Sequence, residues 1–220
     1  MFRRKGQAFW QALQKWIALL QQRLTPLGSE GGALSQQSQW QGRRVMAPLD
    51  WVIPGKLAVG GLPQLGDRDR LQQANIQVIL SLTAPIEADL PPEVARAFRC
   101  ARVSLPDSRY EADLRVERLA KAVALVHRSL SQQLPIYVHC LAGVERSPLV
   151  CIAYLCCYHQ LDLWEAVNWL KHVRPCAAPS MAQLQVVQDL VQQTRAVAAG
   201  TPHHTPVQSS SPQPQPAKQF

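Results

Sequence analysis

Between about residue 50 and residue 195 the chain alternates short apolar runs with stretches of helical periodicity, and this alternation restricts the fold more than any other feature. KLAVGG (56–61), IQVILSLT (76–83), FRCARVSLP (98–106) and IYVH (136–139) are too short for helices and are punctuated by Gly or Pro, so they read as strands. RDRLQQAN (68–75) is a helical piece between the first two. Residues 113–130 place Leu119, Val123, Val126 and Leu130 on one helical face, and a further helix runs from Arg146 to about His159. Two later helices show their starts through capping-box spacings, Asp162 with Glu165 and Ser180 with Gln183. Apolar strands separated by helices predict an α/β fold with a mainly parallel central sheet flanked by helices.

The 220 residues suffice for one folded domain with flanking segments, and an apolar content of 47% with 17% charged residues is ordinary for a globular chain. The expected divisions are a basic amphipathic arm and linker over 1–45, a folded domain over 46–197, and a disordered Pro/Gln/Ser-rich tail over 198–220. The net charge of +8 points first to nucleic acid, but residues 1–45 hold seven Lys or Arg against one acid, Glu30. The rest of the chain is nearly balanced, so no nucleic-acid partner is expected. The arm spaces Phe2, Phe9, Leu13, Trp16, Ile17, Leu20 and Leu24 as one face of a basic helix. Such a helix fits peripheral contact with an anionic membrane through residues 2–24, packing on its own domain, or an import signal.

Six cysteines are present without any Cys-x-x-Cys pair, and the Cys and His spacings match no zinc site, so no structural metal is expected. Four of the six lie in apolar stretches, which suits reduced thiols in the cytoplasm. The longest apolar run, LVCIAYLCCY (149–158), is about half a bilayer span. A cytoplasmic location is expected, membrane-peripheral if the arm serves that purpose, with organelle import as the alternative.

The stretch VHCLAGVERSPLV (138–150) carries the chemistry. It puts Cys140 at the carboxyl end of a buried strand and Arg146 in the first turn of the next helix, the sheet edge where open α/β folds bind ligands. The loop between them can turn the backbone N–H groups of Leu141, Ala142, Gly143, Val144, Glu145 and Arg146 around one anion, with Gly143 supplying the φ > 0 that such a nest needs. The helix N-terminus adds partial positive charge. Those donors also favour a thiolate, making Cys140 a candidate nucleophile. Arg146 offers a planar fork matching two phosphoryl oxygens. Ser147 can hydrogen-bond the sulfur and assist its departure, or can be a simple helix cap. His139 is read as a structural support of the loop rather than a proton carrier.

HCLAGVERS matches the His-Cys-x-x-Gly-x-x-Arg-Ser/Thr signature of the cysteine-dependent protein tyrosine phosphatase superfamily, and the chain most resembles the dual-specificity phosphatases over roughly residues 50–195. The resemblance implies a phosphatase-like fold and a phosphocysteine enzyme without metal or cofactor. It also implies a general acid on an upstream loop. In SLPDSRYEADL (104–114) Asp107 is the choice, 33 residues before Cys140, while Glu111 is a lesser candidate and Asp113 reads better as a helix cap. Some relatives protect the nucleophile by a disulfide, for which Cys100 and Cys151 are the candidates against a plain core reading. Glu145 puts a carboxylate in the loop where relatives acting on inositol lipids tend to carry lysines. A phosphorylated protein is therefore the expected substrate, with a lipid or nucleic-acid phosphate, or a non-catalytic phospho-binding module, as the alternatives.

Overall fold

A computed structural model describes residues 49–198. The expected arm and linker, the membrane contact assigned to residues 2–24, and the expected tail from 199 onward lie outside the described residues. Among the described residues no helix is long and apolar enough to cross a membrane.

The first strand is one that the sequence pattern did not show. Asp50–Ile53 (β1) turns back through Pro54 and Gly55 onto Leu57–Gly60 (β2), with Lys56 N–H donating to the Ile53 carbonyl at 3.0 Å and Gly55 at φ +65°. Pro followed by a positive-φ Gly is the chemistry of a type II turn, and it makes β1–β2 the one antiparallel pair. The remaining strands follow as expected: Val78–Ser81 (β3), Arg99–Arg102 (β4) and Ile136–His139 (β5). The sheet order is β1-β2-β5-β3-β4, with β2, β5, β3 and β4 parallel. Central β5, flanked by a parallel strand on each side, is buried along its whole length.

Period-two alternation divides the strand side chains between two layers. Ala58, Ile79 and Tyr137 pack with Leu71 of helix α1 (Asp67–Gln73) and Val94 of helix α2 (Pro92–Ala97). Leu57, Val59, Leu80, Ile136 and Val138 face the larger core formed with α3 (Val116–Ser131), α4 (Arg146–Tyr158), α5 (Leu163–Val173) and α6 (Met181–Ala198). Helix α4 is buried almost all round, from Arg146 through Cys156, so its sequence is apolar without a polar stripe. Both anticipated capping boxes form, at Asp162/Glu165 and at Ser180/Gln183.

One cap does not form. Asp113 closes a 3-10 turn spanning Ser108–Asp113, and α3 begins three residues later with Arg115 at its N-cap position and no side-chain cap. The turn ahead of Val116 takes up the residues that helical periodicity assigned to the helix.

Candidate active site

Cys140 follows β5 directly and is almost fully buried. The carbonyls of the loop behind it are all taken by groups outside the loop. Leu141 O accepts from Leu62 N–H at 3.0 Å, Val144 O from Ala178 N–H at 2.8 Å, Ala142 O from Arg174 Nη2 at 3.3 Å, and Gly143 O from Arg174 Nε at 2.5 Å. In a planar trans peptide the carbonyl and the following N–H point in opposite directions. Four outward carbonyls therefore turn the N–H groups of Ala142, Gly143, Val144 and Glu145 inward. Of these, Gly143 N–H points at Cys140 Sγ, 3.2 Å away. Gly143 has φ +73°, and a Cβ there would lie 2.5 Å from Gly60 C and 2.6 Å from Gly61 N. The glycines closing β2 form the wall against which the loop rests.

Ser147 is the second helical residue of α4, after N-cap Glu145 and Arg146, so it is not the cap. Its hydroxyl donates to Gly60 O at 2.9 Å and lies 3.4 Å from Cys140 Sγ. Arg146 is buried and extends across the carboxyl edge of the sheet. Its Nη1 donates to both carboxylate oxygens of Glu87, at 3.0 and 2.9 Å, and to Leu105 O at 3.2 Å. Among the described residues all of its hydrogen bonds fall on Nη1, so the Nε–Nη2 edge is left for two oxygens of a bound anion. Burial pushes the Glu87 carboxyl up, but the bonds from Arg146 and from Ala84 N–H outweigh this and hold it below the usual carboxylate range.

His139 supports the loop from beneath. Its Nδ1 lies 3.1 Å from the Cys140 carbonyl, which can only accept, so the proton sits on Nδ1 and the Ser81 hydroxyl donates to Nε2 at 2.7 Å. Burial lowers its pKa to about 4, so the ring is neutral at physiological pH.

Asp107 lies two residues beyond Leu105, whose carbonyl Arg146 holds, and the charge of Arg146 reaches it. Its Oδ1 accepts Arg109 N–H at 3.0 Å and its Oδ2 accepts Arg109 Nη2 at 2.9 Å. The Arg109 guanidinium holds the Asp107 carboxyl below its ordinary value. Glu145 is half-buried at the N-cap of α4, and Glu111 lies within the 3-10 turn.

Three supports have no clear sequence signal. Glu87 stands in a loop after β3. Arg174 is buried behind the loop and joins its carbonyls to Asp50 of β1, with Nη1 at 2.6 Å from Oδ2. Ser81 ends β3, where the order β2-β5-β3 brings it beside His139.

Of the two candidate disulfide partners, the topology removes Cys100. It is level with Ile79 and Tyr137, three residues before Cys140, and β3 stands between β4 and β5. Two strand spacings of about 4.8 Å each exceed disulfide reach. Cys151 is fully buried in α4, one turn beyond Ser147, and burial raises its pKa.

Residues 59–193 match the family described as dual specificity phosphatase, catalytic domain. Among curated proteins, dual specificity protein phosphatase 22-B of Danio rerio is 31% identical over 146 residues, covering 64% of this chain and 74% of the relative. Phosphatidylglycerophosphate phosphatase PTPMT1 of Arabidopsis thaliana is 24% identical over 131 residues, covering 60% of this chain and 39% of that protein. The chain spans from about a fifth to three quarters of the length of these and similar curated relatives. Among solved structures, PTPMT1 in complex with PI(5)P superposes with a TM-score of 0.59 at 23% identity, over 66% of this chain and 95% of that one, which shows a shared fold. By the match over its catalytic core, this chain belongs to the dual specificity phosphatase family.

Proposed function

We propose that the chain hydrolyses phosphomonoesters through a cysteinyl-phosphate intermediate, with phosphotyrosine and/or phosphoserine/threonine of proteins as substrates. The observation that carries this reading is the cradle: four loop carbonyls bonded outward, hence N–H groups turned inward, with Cys140 at the base and Arg146 at the rim. In the first step Cys140 Sγ attacks phosphorus, the P–O bond to the substrate breaks, and Asp107 gives its proton to the leaving oxygen. In the second step water attacks phosphorus, the S–P bond breaks, and Asp107 takes the water's proton. The inward N–H groups and Arg146 hold the charge of the transferring phosphoryl group. Ser147, which bonds Gly60 O beside the sulfur, can turn its proton to Sγ as the thiolate leaves.

Glu145 favours protein over inositol lipid, since a carboxylate at the cradle opposes a substrate with several phosphates. The names of the relatives include both protein and lipid phosphatases, so the test is a panel. Phosphotyrosine and phosphoserine peptides, phosphatidylinositol phosphates and phosphatidylglycerophosphate would be compared on wild type and Cys140→Ser. Peptide turnover that vanishes in Cys140→Ser is expected. Lipid turnover well above peptide turnover would refute the substrate class, and hydrolysis surviving in Cys140→Ser would refute the nucleophile.

A further inference from the structure

The residue proposed as proton donor is held in the state least able to donate. Both oxygens of Asp107 accept from Arg109, one from its backbone N–H and one from its guanidinium. The other charged groups that reach this pair are Arg146, which also favours the carboxylate, and Glu87, which opposes it. Tyr110 and Glu87 also act on Arg109 and favour its charged form. A general acid needs one oxygen carrying a proton and aimed at the leaving group, so the guanidinium has to leave Oδ2 during the cycle. The backbone bond to Oδ1 need not break, and it keeps the carboxyl in place.

A competing anion in reach can draw the guanidinium away, since an ion pair on so exposed an arginine is weak. The Arg109 side chain is 80% exposed while that of Asp107 is 19% exposed, so the arginine lies on the solvent side of the acid, open to a group of a substrate bound beside it. Five N–H donors in a planar fork suit a carboxylate or phosphoryl group. We propose that Arg109 is a specificity-determining residue that captures a second anionic group of the substrate, a carboxylate flanking the phosphorylated side chain of a peptide, and so frees Asp107 to carry the proton. This rests on the reading of Asp107 as the acid. Recognition and proton donation are then one event: a peptide lacking the second anion leaves Arg109 on Asp107 and turns over slowly even when its phosphate is bound.

The test compares wild type, Arg109→Gln and Asp107→Asn on phosphoserine peptides flanked by Glu or by Gln, with kcat and kcat/KM followed against pH. Wild type is expected to prefer the Glu-flanked peptide by about three- to ten-fold in kcat/KM, the range of one exposed to partly desolvated ion pair. Arg109→Gln should bring that ratio near one. It should also move the basic limb of kcat for the Gln-flanked peptide to higher pH, a shift that loss of a merely structural contact would not give. A preference that survives in Arg109→Gln, or a basic limb that stays in place, overturns the inference. So would an Arg109-dependent preference confined to a phosphatidylinositol bisphosphate over its monophosphate, since the anion would then belong to a lipid. Asp107→Asn separates the two readings. If it retains phosphoserine turnover, the acid assignment fails; if it loses turnover while Arg109→Gln changes nothing, only the role of Arg109 fails.

Discussion

Gly143→Ala should disable the site out of proportion to the methyl group it adds, and Gly55→Ala provides the control. Both glycines have positive φ, +73° and +65°, so an alanine at either place bears a similar backbone cost of about 1–2 kcal/mol. They differ in surroundings. A Cβ on Gly55 meets nothing within 4 Å, whereas a Cβ on Gly143 meets Gly60 C at 2.5 Å, Gly61 N at 2.6 Å and the Arg174 guanidinium. These neighbours cannot withdraw: Gly60 is paired with His139 in the sheet and accepts from Ser147, and Arg174 is fixed by Asp50 and two loop carbonyls. Overpacking of this kind adds about 1–3 kcal/mol, and relief has to come from the loop itself. Moving the loop by about 1 Å takes the inward N–H groups off the phosphoryl oxygens, a displacement that costs on the order of 100-fold in rate. Urea unfolding and steady-state kinetics on a small aryl phosphate measure both terms. Gly55→Ala should lose about 1–2 kcal/mol of stability and keep kcat/KM within about two-fold. Gly143→Ala should lose about 2–5 kcal/mol and about 100-fold in kcat/KM. If Gly143→Ala keeps a third of wild-type activity, the wall is not what shapes the cradle and the reasoning fails.

Other consequences follow from the same contacts. Arg174→Lys keeps a charge but cannot span Asp50 and the carbonyls of Ala142 and Gly143, so unfolding free energy should fall by about 2–4 kcal/mol, together with kcat. Near-wild-type values of both would show that the brace is dispensable. His139 has a folded pKa of about 4 against an ordinary 6.5, so between these values the unfolded chain binds the extra proton and stability falls as pH drops, by roughly 3 kcal/mol over the window. Urea midpoints measured across that range should show this slope in wild type and lose it in His139→Asn. Cys100→Ser should leave recovery of activity after peroxide treatment unchanged, because Cys100 stands two strands from Cys140; impaired recovery would contradict the strand order.

What the sequence could show depended on how local each cause was. The four parallel strands were legible because each short run carries its own punctuation, and the cradle was legible because strand, glycine and arginine lie within a dozen residues of one another. β1 was readable in principle from Pro54-Gly55, whose turn chemistry demands a strand before it as well as after. DWVI alone is too short to show a period, and one of its partners is distant in sequence, Trp169 of α5, whose Nε1 donates to Val52 O at 3.0 Å. Asp113 was misjudged because an acid before a helical stripe is ordinarily a cap, and nothing in the stripe reveals that a 3-10 turn comes first.

Glu87 and Arg174 were hidden for a different reason. Each had a sufficient local explanation, an acid in a loop and a base at a helix end, which fits helix-dipole chemistry without any site at all. Their function exists only across the fold. Glu87 meets Arg146 at a separation of 59 residues, and Arg174 meets Asp50 at 124. The loop is therefore shaped not by its own nine residues alone but also by two ion pairs, each with a buried arginine: Arg174 holds its carbonyls and Glu87 holds its arginine. A substitution that keeps HCLAGVERS intact but breaks either pair should damage the cradle as surely as one within it.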